Sequence, residues 1–116
     1  MKLMIVDDNK RMRQTMVEMI AQEGDEILEC CCGEEAVENF YGFNPDWILM
    51  DIQMNKMNGF KAAEKILQYK PKTKIAFVTN YDSEMYRETA KAIGIKHYFL
   101  KLNLFKISEM LNKNII

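Results

Sequence analysis

The sequence predicts an α/β fold: five parallel strands alternating with five helices that cover both faces of one doubly wound sheet. Short apolar runs alternate with longer segments of helical period along the whole chain, which is the order of βαβ units. One of those runs, Trp47–Met50, is apolar almost without a break, as in strands buried on both faces. Gly, Asn and Pro fall between the runs, where turns are needed.

The elements follow in order. The first strand is Leu3–Val6 and stops at two adjacent aspartates, Asp7 and Asp8. Asn9 suits the N-cap of the first helix, whose Met12, Met16, Met19 and Ile20 recur at i, i+4, i+7 and i+8. Gly24 is expected to stop that helix. A second strand runs from Ile27 to Cys32. Gly33 and the Glu34–Glu35 pair open the second helix, with Ala36, Val37 and Phe40 on its apolar face; acidic residues suit a helix N-terminus. Asn44-Pro45 breaks it. The third strand, Trp47–Met50, ends at Asp51, and a loop from Ile52 to Gly59 leads to a third helix carrying Phe60, Ala63 and Leu67. Pro71 and Lys72 end that helix. The fourth strand, Ile75 to Val78, stops at Thr79. Asp82 or Ser83 caps the fourth helix and Gly94 closes it. The fifth strand, His97 to Leu100, ends at Lys101. The last helix runs from about Leu104 to Lys113, with Leu104, Ile107 and Leu111 inward.

Composition narrows the function. The 116 residues suit one domain, 1–116, ending one helix after the last strand with no output domain attached. The net charge of −1 provides no basic field to attract nucleic acid. No apolar span is long enough to cross a membrane. A single Lys and four apolar residues before Asp7 are too few for a signal peptide, so the expected compartment is the cytoplasm. The three cysteines, Cys30, Cys31 and Cys32, are contiguous. Such a set is no disulfide framework and lacks the spacing of a zinc site, so they read as small hydrophobes of the second strand. The ten methionines read chiefly as core packing, and the Lys-rich stretch "KPKTK" as a solvated loop.

The strand ends carry the chemistry. In a parallel sheet the C-terminal strand ends share one edge, and ligands bind in the crevice outside it. Asp7, Asp8, Asp51, Thr79 and Lys101 should therefore converge. Each alone reads as a turn or cap residue, but together they complement one another. Two carboxylates about 4 Å apart repel by roughly 4 kcal/mol at a surface-like dielectric, and a dication offsets that. Carboxylates without a nearby His or Cys suit magnesium, which takes oxygen ligands. Lys101 can pair a phosphate oxygen and Thr79 can donate to another, while a carboxylate attacking phosphorus yields an aspartyl phosphate.

Four segments, "IVDDN", "PDWILMDIQMNKMNG" around Asp51, "VTN" and "GIKHYFLK" leading to Lys101, resemble the receiver domains of two-component response regulators, and the resemblance covers essentially the whole chain. It implies a flavodoxin-like (βα)5 fold of strand order 2-1-3-4-5. It implies that Asp51 is the phosphoacceptor, served by a sensor histidine kinase or phosphotransfer protein. Mg2+ would be held by Asp8 directly, by Asp7 through water, by Asp51 and by the Gln53 backbone carbonyl. Lys101 and Thr79 would act on the phosphoryl group, and Thr79 and Tyr98 would form the switch. A downstream protein would dock on the fourth helix, fifth strand and fifth helix, with Met85, Tyr86, Lys91 and Lys96 as candidates. Three residues depart from the family's pattern. Leu102 and Asn55 stand where proline is usual, and Asn80 where a small residue is common. A trans bond is expected at Leu102, since a cis bond without proline costs about 3 kcal/mol; Asn80 is expected to narrow access to Asp51. His97, with no second ligand in sight, reads as a strand-edge histidine.

Two other readings compete. One is a degenerate receiver that serves as a phosphorylation-independent interaction or dimerisation module. The other is a small Mg-dependent phosphatase of the haloacid-dehalogenase type. That chemistry needs a second acid two residues after the nucleophile, where this chain has Gln53, which cannot transfer protons in that way.

Overall fold

Successive residues of a strand point to opposite faces of its sheet, and here both faces are apolar. In the computed structural model, which describes residues 1–113, Leu3 and Ile5, Trp47 and Leu49, and Ala76 and Val78 face one side. Met4 and Val6, Ile48 and Met50, and Ile75 and Phe77 face the other. Each side must be covered, and the helices divide accordingly. The strands are β1 (Lys2–Val6), β2 (Glu26–Cys30), β3 (Trp47–Met50), β4 (Ile75–Thr79) and β5 (His97–Leu100). The helices are α1 (Lys10–Ile20), α2 (Gly33–Phe43), α3 (Gly59–Tyr69), α4 (Glu84–Ile93) and α5 (Leu104–Lys113), with a 3-10 turn at Lys101–Asn103 before the last. α1 and α5 cover the first face through Met16, Ile20, Leu104, Ile107 and Leu111. α2, α3 and α4 cover the second through Ala36, Phe40, Ala62, Ala63, Ile66 and Ala90. All strand pairs are parallel, in the order β2-β1-β3-β4-β5. Fully burying a large apolar side chain contributes about 1.5–3 kcal/mol, so the two clusters dominate the stability of the sheet.

Most element boundaries fall where the sequence puts them. Asn9, Asn58 and Ser83 cap α1, α3 and α4, each accepting a backbone N–H from three residues on. Gly94, at φ 102°, closes α4 in the left-handed region that a glycine adopts without strain. Three readings need correction. α1 stops at Ile20 with Ala21 extended, and Gly24 instead supplies the positive φ of 92° in the turn before β2. Met19 lies off the buried stripe and is exposed, because the stripe centres on Met16 and Ile20. β2 ends at Cys30, so only that cysteine is a buried strand residue; Cys31 is exposed in the turn and Cys32 is the N-cap of α2. Of the two expected candidates for the cap of α4, Ser83 fills the role, while Asp82 pairs with Arg87 at 3.1 Å. His97 is half-buried on the edge strand, its ring edge-on to Trp47.

Candidate functional site

The parallel sheet brings its chemistry to one edge. Val6 and Met50 are partners across the β1–β3 ladder, so Asp7 and Asp51 leave adjacent strands side by side. The Asp51 N–H donates to the Val6 carbonyl at 2.9 Å, and the Asp7 N–H to the Cys30 carbonyl at 3.1 Å. Thr79 pairs with Leu100, which sets Lys101 one residue beyond on the same edge. The chain leaves β1 for β2 on one side and β3 lies on the other, so the crevice opens at the topological switch point.

Alternation across the pleat separates the two adjacent aspartates. Asp7 is 1% exposed and Asp51 5%, while Asp8 is exposed. One carboxylate oxygen from each of Asp7, Asp8 and Asp51 lies within 4.8 Å of the other two. The Lys101 ammonium sits 2.8 Å from Asp7 Oδ2 and 3.3 Å from Asp51 Oδ2. Local bonds hold these groups. Asp7 Oδ1 accepts the Asn9 N–H at 2.9 Å, and Asp51 Oδ1 accepts the Ile52 N–H at 2.8 Å. Thr79 is fully buried, and its hydroxyl oxygen accepts the Tyr81 N–H at 3.2 Å.

Burial pushes the Asp51 carboxyl up to about 6, and the neighbouring Asp7 charge adds to this, while Lys101 pulls the other way. Burial alone would lower Lys101, but Asp7 and Asp51 more than offset it and the ammonium is held above its ordinary value. One lysine thus faces three carboxylates. Asp7 Oδ2 is shielded from solvent and takes no hydrogen bond among the described residues; Lys101 meets it at ion-pair distance without hydrogen-bond alignment. Three carboxylates gathered against one ammonium leave excess negative charge, which fits a hard dication, and their all-oxygen donor set is the matching chemistry.

Lys101 reaches both buried aspartates although Leu102 follows it, and no peptide bond among the described residues is cis. Leu102 itself is 92% exposed. Gln53 is exposed two residues beyond Asp51, and its amide donates to the Tyr86 hydroxyl at 2.7 Å. Tyr98 is half-buried; its hydroxyl donates to the Tyr81 carbonyl at 2.6 Å and Arg87 lies over its ring. Asn55 and Asn80 are exposed. Two contributors escaped the sequence reading. Arg13 donates to the Asp7 carbonyl at 2.7 Å and pairs with Glu29 at 3.0 Å, which ties α1 to the strand ends. Gly59 opens α3 directly against the Asp51 backbone: a Cβ there would lie 2.0 Å from the Asp51 carbonyl oxygen. A glycine as the first residue of a helix after a good Asn cap was the available signal, since glycine weakens a helix unless space demands it.

Comparisons with known proteins agree with this fold. A sequence model of the family described as "Response regulator receiver domain" matches residues 3–113. The chemotaxis protein CheY of Thermotoga maritima is 35% identical over 115 residues, covering 97% of this chain and 95% of that protein. The transcriptional regulatory protein DegU of Brevibacillus brevis is 33% identical over 102 residues; the match covers 86% of this chain but 43% of DegU, so the chain spans less than half of that regulator. The response regulator domain of Thermotoga maritima CheB superposes with a TM-score of 0.83 at 26% identity, over 99% of this chain and 92% of that one. A chain of the CheX–CheY–BeF3–Mg2+ complex from Borrelia burgdorferi superposes with a TM-score of 0.88 over 99% of this chain and 89% of that one; at 23% identity it bears on the fold alone.

Proposed function

We propose a function from one premise: this chain belongs to the response regulator receiver domain family. It is a signalling switch that accepts a phosphoryl group on Asp51, in a Mg2+-dependent reaction, from the phosphohistidine of a sensor histidine kinase or phosphotransfer protein. The observation that carries this reading is the buried Asp51 carboxylate, 3.3 Å from the Lys101 ammonium and within 4.8 Å of carboxylate oxygens of both Asp7 and Asp8. An Asp51 oxygen forms the new bond to phosphorus as the bond from phosphorus to the donor imidazole nitrogen breaks, and the leaving imidazole takes up a proton. Lys101 shifts from its carboxylate partners to a phosphoryl oxygen, and the Thr79 hydroxyl donates to another. Asp7, Asp8, Asp51 and the Gln53 carbonyl are the residues that would hold Mg2+, which neutralises charge that develops on the phosphoryl oxygens. The rest of catalysis is alignment by a rigid strand edge.

Output follows from Thr79 and Tyr98. When Thr79 moves toward the new phosphoryl group, Tyr98 exchanges its bond to the Tyr81 carbonyl for another position, and the face of α4, β5 and α5 changes shape. α4 carries exposed Met85 and Lys91, exposed Lys96 precedes β5, and α5 carries exposed Phe105, which suits a protein partner. The reading takes 1–116 as one receiver domain acting in the cytoplasm. Among the described residues no helix is long and apolar enough to cross a membrane.

The test is incubation with Mg2+ and a small phosphodonor such as acetyl phosphate, followed by mass spectrometry of intact protein. The expected product is one hydroxylamine-labile adduct, absent from Asp51→Asn. An adduct that persists in Asp51→Asn would move the acceptor elsewhere. No adduct on the wild type would favour the interaction-module reading, and rapid multiple turnover of a phosphate ester would favour the phosphatase. Gln53, whose amide is engaged by Tyr86, is the observation against the last.

A further inference from the structure

We infer that Cys31, Cys32 and Glu35 form a binding site for a borderline-soft dication of the zinc class, separate from the aspartate pocket. The inference stands apart from the reading of Asp51. It rests on the turn between β2 and α2, which the contiguous cysteines alone could not reveal. There the Cys31 sulfur, the Cys32 sulfur and a Glu35 carboxylate oxygen all lie within 4.8 Å of one another. Residues adjacent in an extended strand would point to opposite faces. Because β2 ends at Cys30 and α2 begins at Gly33, the bend turns both sulfurs toward the same carboxylate.

Each ligand is positioned: the Cys31 thiol already lies in hydrogen-bond contact with the Glu35 carboxylate and the Cys32 sulfur, contacts that an ion bound by all three would replace. The Glu35 carboxylate folds back over the turn and accepts the Cys31 N–H at 2.7 Å, which fixes one oxygen near the sulfurs and leaves the other. Cys32 is the N-cap of α2, yet its side chain makes no capping bond. Cys31 is exposed, while Cys32 and Glu35 are half-buried, so an ion can enter from solvent and the side chains can adjust. Zinc at about 2.3 Å from each sulfur holds the two roughly 3.8 Å apart in a tetrahedron. Closing the site therefore asks for side-chain movements of about 1 Å, within the range of a χ1 adjustment.

The donor set selects the metal. Two sulfurs and one carboxylate match zinc and its soft neighbours, whereas magnesium takes oxygen alone. Each thiol releases its proton to solvent as its sulfur binds the ion; no electron moves and no co-reactant is needed. Water fills the fourth position. Cys30 takes no part, since it is buried in the core below α2. The site nonetheless adjoins the aspartates, because the Cys30 carbonyl accepts the Asp7 N–H.

The test is titration of the reduced full chain with Zn2+ against a chromophoric chelator, under excess Mg2+ to fill the aspartate pocket. One Zn2+ per chain should bind, and Cys31→Ser, Cys32→Ser and Glu35→Gln should each weaken it roughly tenfold or more. Glu35→Gln keeps an acceptor for the Cys31 N–H, so its loss reads ligation rather than folding; circular dichroism should be unchanged. Co2+ in place of Zn2+ should give a sulfur-to-metal charge-transfer band that Cys32→Ser diminishes. Asp8→Asn should keep the Zn2+. The inference is overturned if Cys31→Ser and Cys32→Ser bind Zn2+ like the wild type, if Asp8→Asn abolishes binding, if Mg2+ displaces it, or if the Co2+ spectrum lacks the sulfur band.

Discussion

Neutralising Asp51 should stabilise the metal-free protein. The folded state raises this carboxyl from an ordinary 3.8 to about 6, through burial first and the Asp7 charge second. Between those values the folded chain keeps a proton that the unfolded chain has released. Well below pH 3.8 both states are protonated and Asp51 costs nothing. The cost grows from there to about pH 6 and is complete above it. A carboxyl raised that far costs the folded state about 3 kcal/mol at neutral pH, a large part of the roughly 5–15 kcal/mol that holds a domain folded. Asn reproduces the neutral carboxyl in size and polarity, and the attraction of Lys101 that Asn forfeits is already counted in that cost. Asp51→Asn should therefore gain up to about 3 kcal/mol, or on the order of 10 °C in Tm for a domain of this length. Urea unfolding of both proteins near pH 7.5 and near pH 4, with and without Mg2+, makes the measurement. The difference should be present near pH 7.5 and shrink to a remainder of about 0.5 kcal/mol near pH 4, and Mg2+ should stabilise the wild type more than the variant. A variant less stable than wild type near pH 7.5, or a gain unchanged at pH 4, would refute the electrostatic account.

Three further outcomes follow from the same geometry. Gly59→Ala places a Cβ 2.0 Å from the Asp51 carbonyl oxygen and 2.9 Å from Ile52 Cα; with only backbone to move, urea unfolding should register a loss of about 1–3 kcal/mol and phosphodonor labelling should slow. Lys101→Met removes the cation that holds Asp51 down, so the pH midpoint of labelling should move upward; an unchanged midpoint would show that Lys101 does not set the nucleophile's charge. Asp8→Ala should weaken Mg2+ binding more than Asp7→Ala, because Asp7 already serves Lys101 and Asn9 while Asp8 faces solvent; calorimetric titration giving the reverse order would reassign the ligands.

Local signals read best where one residue does one job. Asn9, Ser83 and Gly94 mark helix ends because a cap or a positive φ is a property of a single position. Gly24 misleads for the same reason: a positive φ is equally useful in a turn, and α1 had already ended at Ile20. Met19 shows the limit of periodicity: it recurs at helical spacing yet lies beside the buried Met16–Ile20 line and is exposed. The cysteines show it more sharply. Composition alone made them one class, yet the end of β2 divides them into a core residue, an exposed thiol and a helix cap.

By itself the chain's amino-acid order determined the alternation of strands and helices and the polar residue that ends each core strand, because both are written in local hydrophobic pattern. It could say that Asp7, Asp8, Asp51, Thr79 and Lys101 belong to one edge. Only the tertiary structure decided that Asp7 is buried and Asp8 is not, that Lys101 spans to both Asp7 and Asp51, and that Gly59 must lack a side chain. Those outcomes depend on strand register and on packing between segments distant along the chain, and no short window of sequence contains all the partners.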